Sequence, residues 1–273
     1  MVFRVHNDLF AVIMDESQDG MQVYVDTIQK RFRQPWILPS GKRCSVNPCI
    51  AVCEFPDYFG SHTELTKLQK SMMKSMKESH DTSVLFCDDK MAETCRRHEM
   101  VEQALEHAME NHTLEVYYQP IMDQQMGDIV VLEALSRLTD QSLGVISPAE
   151  FIPIAETSGQ IIRLGFYVMR QVCTFIEDKL LTNPNNHVTC IQVNLSMLQC
   201  AYDGLKESFQ EIMEAHHIPT SMIQLELTES TMLESPDMVR KTMDELVDYG
   251  VLFALDGNVY VPFGQVHTNL SHH

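Results

Sequence analysis

Strand-like and helix-like segments alternate along the chain from residue 114 onward, and this order limits the possible fold more than any other feature. The predicted strands cover residues 114–121, 129–137, 188–195, 223–228 and 251–256. Apolar residues at helical spacing predict helices at 148–156, 160–181, 205–216 and 236–249. Because each of the last three strands is separated from the next by a helix, βαβ units and a parallel sheet are predicted.

Polar side chains in these strands fall on one face. Gln192 and Asn194 alternate with apolar neighbours in the third strand, and Gln224 and Glu226 do so in the fourth. An apolar face toward helices and a polar face toward an interior suit a barrel or a deep crevice. Four polar residues also stand near the carboxyl ends of strands, where active sites of parallel α/β folds collect: Glu133, Asn194, Glu226 and Asp256.

Three carboxylates and one amide form an all-oxygen ligand set. Such a set suits Mg²⁺ or Mn²⁺ better than zinc or copper. A bound ion of this kind could neutralise a phosphate and acidify a water molecule for in-line attack. From spacing alone, four unrelated polar strand ends remain the alternative.

Charge and cysteine content exclude several other classes. The chain carries 20 Lys and Arg against 38 Asp and Glu, a net charge of −18. A field of that sign repels a nucleic-acid polymer, and an anionic substrate would need a cation to mediate its binding. The eight cysteines include no C-x-x-C pair, and neither a secretory signal nor an apolar run long enough for a membrane segment is present. These features predict a cytoplasmic chain with reduced thiols.

Residues 133–137 read EALSR and resemble the signature of the EAL family of cyclic di-GMP phosphodiesterases. Further motifs follow the family in order: YYQPI at 117–121, PAEFIPIAE at 148–156, VNLS at 193–196, ELTE at 226–229 and FALD at 253–256. The resemblance implies a TIM-like barrel whose first strand is antiparallel to the rest. It also implies metal-assisted hydrolysis of one phosphodiester bond of cyclic di-GMP, which gives linear pGpG.

The same resemblance assigns roles to individual residues. Positions that match the family's divalent-metal ligands are Glu133, Asn194, Glu226 and Asp256. Arg137 stands at the family's phosphate contact, while Gln119 and Leu135 stand at its nucleotide-contacting positions. Glu229 matches a glutamate that steadies a loop beside the metal, so Glu133 and Glu229 are the catalytic candidates.

The amino-terminal part resembles a different family. Residues 4–13 predict two short strands around a polar turn, and RVHNDLFA at 4–11 is similar to the GGDEF hairpin of diguanylate cyclases. His6 and Asn7 replace its two glycines and Leu9 replaces an acidic residue, so no cyclase activity is expected. Helices are predicted at about 19–33, 63–79 and 88–111, the last connecting two domains. The 63–79 helix carries a stripe that we interpret as core packing: Leu65, Leu68, Met72, Met73 and Met76.

The predicted fold is α/β, an incomplete TIM-like (EAL) barrel that follows a partial α+β GGDEF-like domain. The expected boundaries are 1–111 for the degenerate GGDEF part with its connecting helix, 112–256 for the amino-terminal part of the EAL domain, and 257–273 for a divergent tail. Gly257 replaces a second metal-site Asp, and the positions of the family's catalytic Lys and later strands find no match. We interpret this as a cut in the gene or reading frame near Asp256.

Three functions stay open from the sequence. The chain is a cyclic di-GMP phosphodiesterase impaired by the missing strands, an inactive module that binds cyclic di-GMP or a protein, or a remnant without a stable fold. Intact relatives often dimerise, so a homodimer is a further expectation.

Overall fold

The computed structural model describes residues 1–14, 18–54, 65–66, 68–69, 71–73, 76, 83–122, 127–227, 236–255 and 258–260. The chain divides into two compact units, Met1–Arg97 and His98–His273.

The described residues of the first unit form short strands and helical segments. Strand β1 (Val2–His6) pairs antiparallel with β2 (Leu9–Val12), which confirms the predicted hairpin. Asn7 in its turn has a φ of 43°, a left-handed conformation that asparagine tolerates better than most residues. The other elements follow in chain order: α1 (Gln18–Phe32), β3 (Trp36–Ile37), β4 (Arg43–Cys44), β5 (Ile50–Val52) and β6 (Val84–Phe86).

A small core holds the rest of this unit together. Strands β5 and β6 are parallel and adjacent. Leu68 and Met72 are buried against them, as the interpretation of the 63–79 stripe requires. The described residues between 65 and 76 are helical, and the remainder of the predicted 63–79 helix lies outside the described residues.

Helix α2 (Asp89–Glu110) begins in the first unit and ends in the second. The Asp88 carboxylate accepts a hydrogen bond of 2.7 Å from the Met91 amide, which caps the amino end of the helix. Val101 and Leu105 are fully buried in the core of the second unit. The predicted connecting helix is therefore present, with ends within one residue of the predicted ones.

Among its described residues, the second unit contains a seven-stranded sheet. Its strands are β7 (Glu115–Met122), β8 (Ile129–Asp140), β9 (Gly144–Ile146), β10 (Cys190–Asn194), β11 (Ile223–Leu227), β12 (Leu252–Leu255) and β13 (Asn258–Tyr260). The order is β13-β12-β11-β10-β8-β7, with β9 paired to β8. Strands β8, β10, β11 and β12 are mutually parallel, and β7 is antiparallel to β8. The predicted parallel sheet and its reversed first strand are both present.

The expected number of five strands was wrong. Strand β9 forms an antiparallel hairpin with the end of β8, and β13 pairs antiparallel with β12 in the stretch that was expected to be a divergent tail. Each has three residues. A segment that short shows too little alternation to stand out in a sequence.

Helices cover one face of the sheet. They are α3 (Pro148–Ser158), α4 (Gln160–Phe175), the short α5 (Met197–Cys200), α6 (Leu205–Ala215) and α7 (Pro236–Tyr249), with a π-helical turn at Ile176–Leu180. Ile191, Leu225 and Phe253 point into this layer and are buried. The opposite face of the sheet carries the polar side chains of the central strands. Within the described residues, no helix combines the length and apolar character needed to cross a membrane.

Candidate functional site

The polar face of the sheet gathers the residues predicted to act. In the strand register, Glu133 of β8 lies between Gln119 of β7 and Gln192 of β10. Two residues after Gln192, toward the carboxyl end of β10, Asn194 is paired with Glu226 of β11. Because side chains alternate along a strand, all five project from the same face.

Asn194 holds one of the carboxylates on this face. Its Nδ2 donates a hydrogen bond of 3.1 Å to Oε1 of Glu133, although the two residues are 61 positions apart in the chain. The Asn194 side chain is exposed, whereas Glu133 and Glu226 are half-buried. The Leu195 amide donates to the Glu226 carbonyl at 2.8 Å, which continues the β10–β11 pairing past Asn194. Three of the four predicted metal ligands are therefore on neighbouring strands.

The other acidic candidates lie outside the described residues. These are Asp256 and Glu229. Strand β12 carries Ala254 in register with Glu226 and ends at Leu255.

The oxygen donors in this part of the chain fit a hard divalent cation. Asn194 donates its amide nitrogen to Glu133 and carries an oxygen on the same amide, and the carboxylates of Glu133 and Glu226 add further oxygen donors on this face. No group of three or more His, Cys, Asp or Glu residues converges on a point in the described ranges. The described residues thus supply part of a ligand set whose remaining predicted member is Asp256.

Arg137 and Tyr117 form the rim of the face. The Arg137 guanidinium carbon lies 5.5 Å from the centre of the Tyr117 ring, and its Nη1 donates to the Ser136 carbonyl at 3.0 Å. Leu135, the predicted nucleotide contact, is in register with Tyr117 and half-buried. Tyr117 is 54% exposed. Sequence reasoning did not single out Tyr117, yet its place two residues from Gln119 signals the same face.

The neighbouring tyrosine has a structural role. Tyr118 faces the helices, stacks on Phe175 with ring centres 3.9 Å apart, and donates from Oη to the Gln171 carbonyl at 3.3 Å. Burial raises the pKa of Tyr118 above its ordinary value, so its hydroxyl stays protonated. The motif at 117–121 therefore divides between the core and the polar face.

Two buried glutamines lie on the same face, two residues before Asn194 and Glu226 on their strands. Gln192 and Gln224 are in register with each other and are buried, with 7% and 6% exposure. The Cys190 thiol donates to Gln224 Oε1 at 3.2 Å. The strand pattern placed these residues on the polar face, but their burial depends on both flanking strands and was not foreseen.

A helix cap positions the chain just after Asn194. The Ser196 amide donates to Gln199 Oε1 at 2.8 Å, and the Gln199 amide donates to Ser196 Oγ at 3.3 Å, so the two residues form a capping box for α5. The Gln199 side chain lies against Gly165 of α4, where a Cβ would overlap its amide. The turn that follows Asn194 is thereby tied to the helix layer.

Comparisons with known proteins are consistent with this arrangement. The EAL domain family model matches residues 102–272, a range that includes the residues after Asp256 where no family motif is apparent. An uncharacterized protein of Sinorhizobium fredii, y4lL, is 32% identical over 209 residues, which is 77% of this chain and 24% of that protein. MucR of Pseudomonas aeruginosa, named a bifunctional diguanylate cyclase/cyclic di-GMP phosphodiesterase, is 25% identical over 256 residues, 93% of this chain and 37% of MucR.

A solved structure agrees with the sequence comparisons. The PaMucR phosphodiesterase in a c-di-GMP complex superposes with a TM-score of 0.53 at 30% identity, covering 60% of this chain and 66% of that one. The chain spans about a quarter of y4lL and over a third of MucR, 24% and 37% of their lengths.

Proposed function

Since the chain belongs to the EAL domain family, we propose that it hydrolyses one phosphodiester bond of cyclic di-GMP and releases linear pGpG. The observation that carries the proposal is the polar face on which Asn194 holds Glu133 and is paired with Glu226 at the carboxyl ends of parallel strands. Relatives named as cyclic di-GMP phosphodiesterases add support.

Glu133, Asn194, Glu226 and Asp256 are proposed to hold Mg²⁺ or Mn²⁺. A bound divalent ion supplies charge neutralisation at the scissile phosphate and a more acidic water nucleophile. Asn194 fixes the orientation of the Glu133 carboxylate through its 3.1 Å hydrogen bond. An oriented carboxylate loses less entropy when it binds a cation than a freely rotating one does.

The substrate is proposed to lie along the rim of the same face. Arg137 contacts a phosphate, because its planar guanidinium suits two oxygens at once. Gln119 and Leu135 contact the nucleotide, and the exposed ring of Tyr117 offers a stacking surface for a guanine base. Glu229 is proposed to steady the loop beside the metal.

The boundaries 1–111, 112–256 and 257–273 stay a proposal, as does the identity of the first as a partial, degenerate GGDEF domain. The MucR alignment covers 93% of this chain and so extends well into that part. With His6 and Asn7 in place of glycines, we predict no formation of cyclic di-GMP from GTP. Homodimerisation also stays a prediction.

A second function is binding without turnover. Gly257 stands where the family motif has a second metal-site Asp, which removes a ligand of a two-metal arrangement. In this case the chain binds cyclic di-GMP through Arg137 and Gln119 but releases it unchanged.

The two functions separate in one experiment. The chain is incubated with cyclic di-GMP and Mn²⁺ or Mg²⁺, pGpG is quantified, and nucleotide affinity is measured in parallel by calorimetry. Hydrolysis predicts pGpG formation that chelation of the metal stops. Affinity without pGpG supports binding alone, and the absence of both from a folded sample contradicts both functions.

A further inference from the structure

Two cysteines of the first unit occupy equivalent positions on adjacent strands. Cys53 directly follows β5 and Cys87 directly follows β6, and these strands pair in parallel with Val52 opposite Phe86. The Cys87 amide donates to the Val52 carbonyl at 2.8 Å, so the pairing continues to the two cysteines. The Cys87 thiol donates to the Asp88 carbonyl at 3.6 Å.

A third sulfur atom completes the group. Met72 is fully buried, and its Sδ lies 3.4 Å from Sγ of Cys53. The Met72 thioether therefore contacts the Cys53 thiol, and Cys87 stands beside Cys53 at the end of the adjacent strand. None of the three participates in the proposed hydrolytic site, which belongs to the other unit.

The side chains packed around this sulfur cluster (Cys53, Met72 and Cys87) are mostly apolar. Leu68 is buried beside Met72, and the partly buried neighbours are Ala51, Leu65, Leu85, Met91 and Cys95. Burial, together with the carboxylates of Asp88 and Asp89 and the thiol of Cys95, raises the pKa of Cys87. A hard cation would find thiols and a thioether here in place of the oxygen ligands it prefers.

We propose that Cys53, Cys87 and Met72 form a binding site for a soft monovalent cation, Cu(I). Thiolate and thioether ligands select soft ions. Structural zinc sites almost always have four ligands and use Cys, His or carboxylate groups, so a thioether in a set of three favours Cu(I) over Zn²⁺. On binding, each thiol releases its proton and both sulfurs coordinate the ion.

A nucleophilic role fits these thiols less well. Burial raises the pKa of the Cys53 thiol to about 12 and also raises the pKa of Cys87. Thiols of that kind are protonated and inert as nucleophiles at neutral pH. Metal coordination differs, because the ion itself drives deprotonation of its ligands.

The test uses the full chain with Cys44→Ser and Cys49→Ser, which removes the two exposed thiols. Under anaerobic conditions, Cu(I) is offered from a coloured competing chelator, and the dissociation constant follows from the colour lost. Met72→Leu, Cys53→Ser and Cys87→Ser are compared with Met91→Leu, which changes a partly buried methionine of the surrounding core that is not a proposed ligand. Leucine for methionine conserves volume, so the fold is expected to survive.

The proposal predicts one Cu(I) per chain with a shell of three sulfurs by X-ray absorption. Met72→Leu should raise the dissociation constant at least about tenfold and leave two sulfurs in the shell, since even outer-shell changes weaken metal sites about 10- to 100-fold. Cys53→Ser and Cys87→Ser should abolish binding, and Met91→Leu should leave it unchanged. The proposal is wrong if no Cu(I) leaves the chelator, or if Met72→Leu binds with the same affinity and shell as the starting protein.

Discussion

Gly165→Ala tests the contact that ties the turn after Asn194 to the helix layer. Gly165 lies inside α4, where alanine is normally more favourable than glycine by about 1 kcal/mol. Here a Cβ would overlap the Gln199 side-chain amide, which is 3% exposed and already bonded to the Ser196 amide. The substitution therefore forces Gln199 out of its capping box.

The expected net effect is destabilising. Overpacking costs about 1–3 kcal/mol, and a buried polar group left without its partner costs a further 1–3 kcal/mol, roughly. After the gain of about 1 kcal/mol in helix propensity, the net loss is about 3 kcal/mol. With a urea dependence of about 2 kcal/mol per molar, the unfolding midpoint followed by far-UV circular dichroism falls by about 1.5 M.

A double-mutant cycle with Gln199→Ala isolates the cause. Without the Gln199 side chain, Gly165→Ala meets no obstacle and is expected to raise the midpoint by about 0.5 M, from its gain in propensity. The sign of the effect thus reverses between the two backgrounds. A stabilising Gly165→Ala in the otherwise unchanged chain would refute the packing of Gln199 against Gly165.

Three further substitutions test other contacts. Thr242→Val removes the buried hydrogen bond of 2.8 Å from Thr242 Oγ1 to the Cys200 carbonyl, and urea unfolding is expected to show a loss of about 1–2 kcal/mol; an unchanged midpoint would contradict this. Hydrogen bonds from Ser142 and Leu143 hold the pKa of the Asp140 carboxyl below its ordinary value, so its stabilising effect is present at neutral pH and is lost as pH falls through that lowered pKa. The difference in urea midpoint between the chain and Asp140→Asn should therefore shrink as the pH falls below about 4, the ordinary value for Asp, and a constant difference would oppose this reasoning. Arg137→Lys keeps the positive charge but loses the planar guanidinium that can bind two phosphate oxygens. Calorimetry should then show about tenfold weaker binding of cyclic di-GMP, a loss of about 1.4 kcal/mol in binding free energy. Equal affinity would contradict the proposed contact between Arg137 and a phosphate.

The strands and helices around the polar face could be predicted well from sequence. The parallel strands β10, β11 and β12 follow from the helices that separate them in the sequence, whereas the parallel β8 and the antiparallel β7 follow from the family resemblance. Strands β9 and β13 could not be predicted, because three residues carry too little pattern. Their pairing depends on longer strands that are already in place.

The sequence nominates the members of the candidate site but does not predict their contacts. Asn194 and Glu133 stand out by position and motif, yet their hydrogen bond joins residues 61 apart and depends on the β8–β10 register. The contact between Met72 and Cys53 was unpredictable for the same reason. Methionine at helical spacing indicates core packing, and only the assembled unit brings its sulfur to Cys53.

The most direct test of the hydrolytic account compares Glu133→Gln with Glu115→Gln in the rate of pGpG formation with Mn²⁺. Both substitutions remove one carboxylate from the same face of the sheet. Glu115 is the first residue of β7 and pairs with Arg137, whereas Glu133 of β8 pairs with Gln119, four residues further along β7. The account predicts that Glu133→Gln lowers the rate at least about 100-fold, equivalent to about 2.7 kcal/mol, and that Glu115→Gln retains most of it. Equal rates for Glu133→Gln and the unchanged chain would contradict the account.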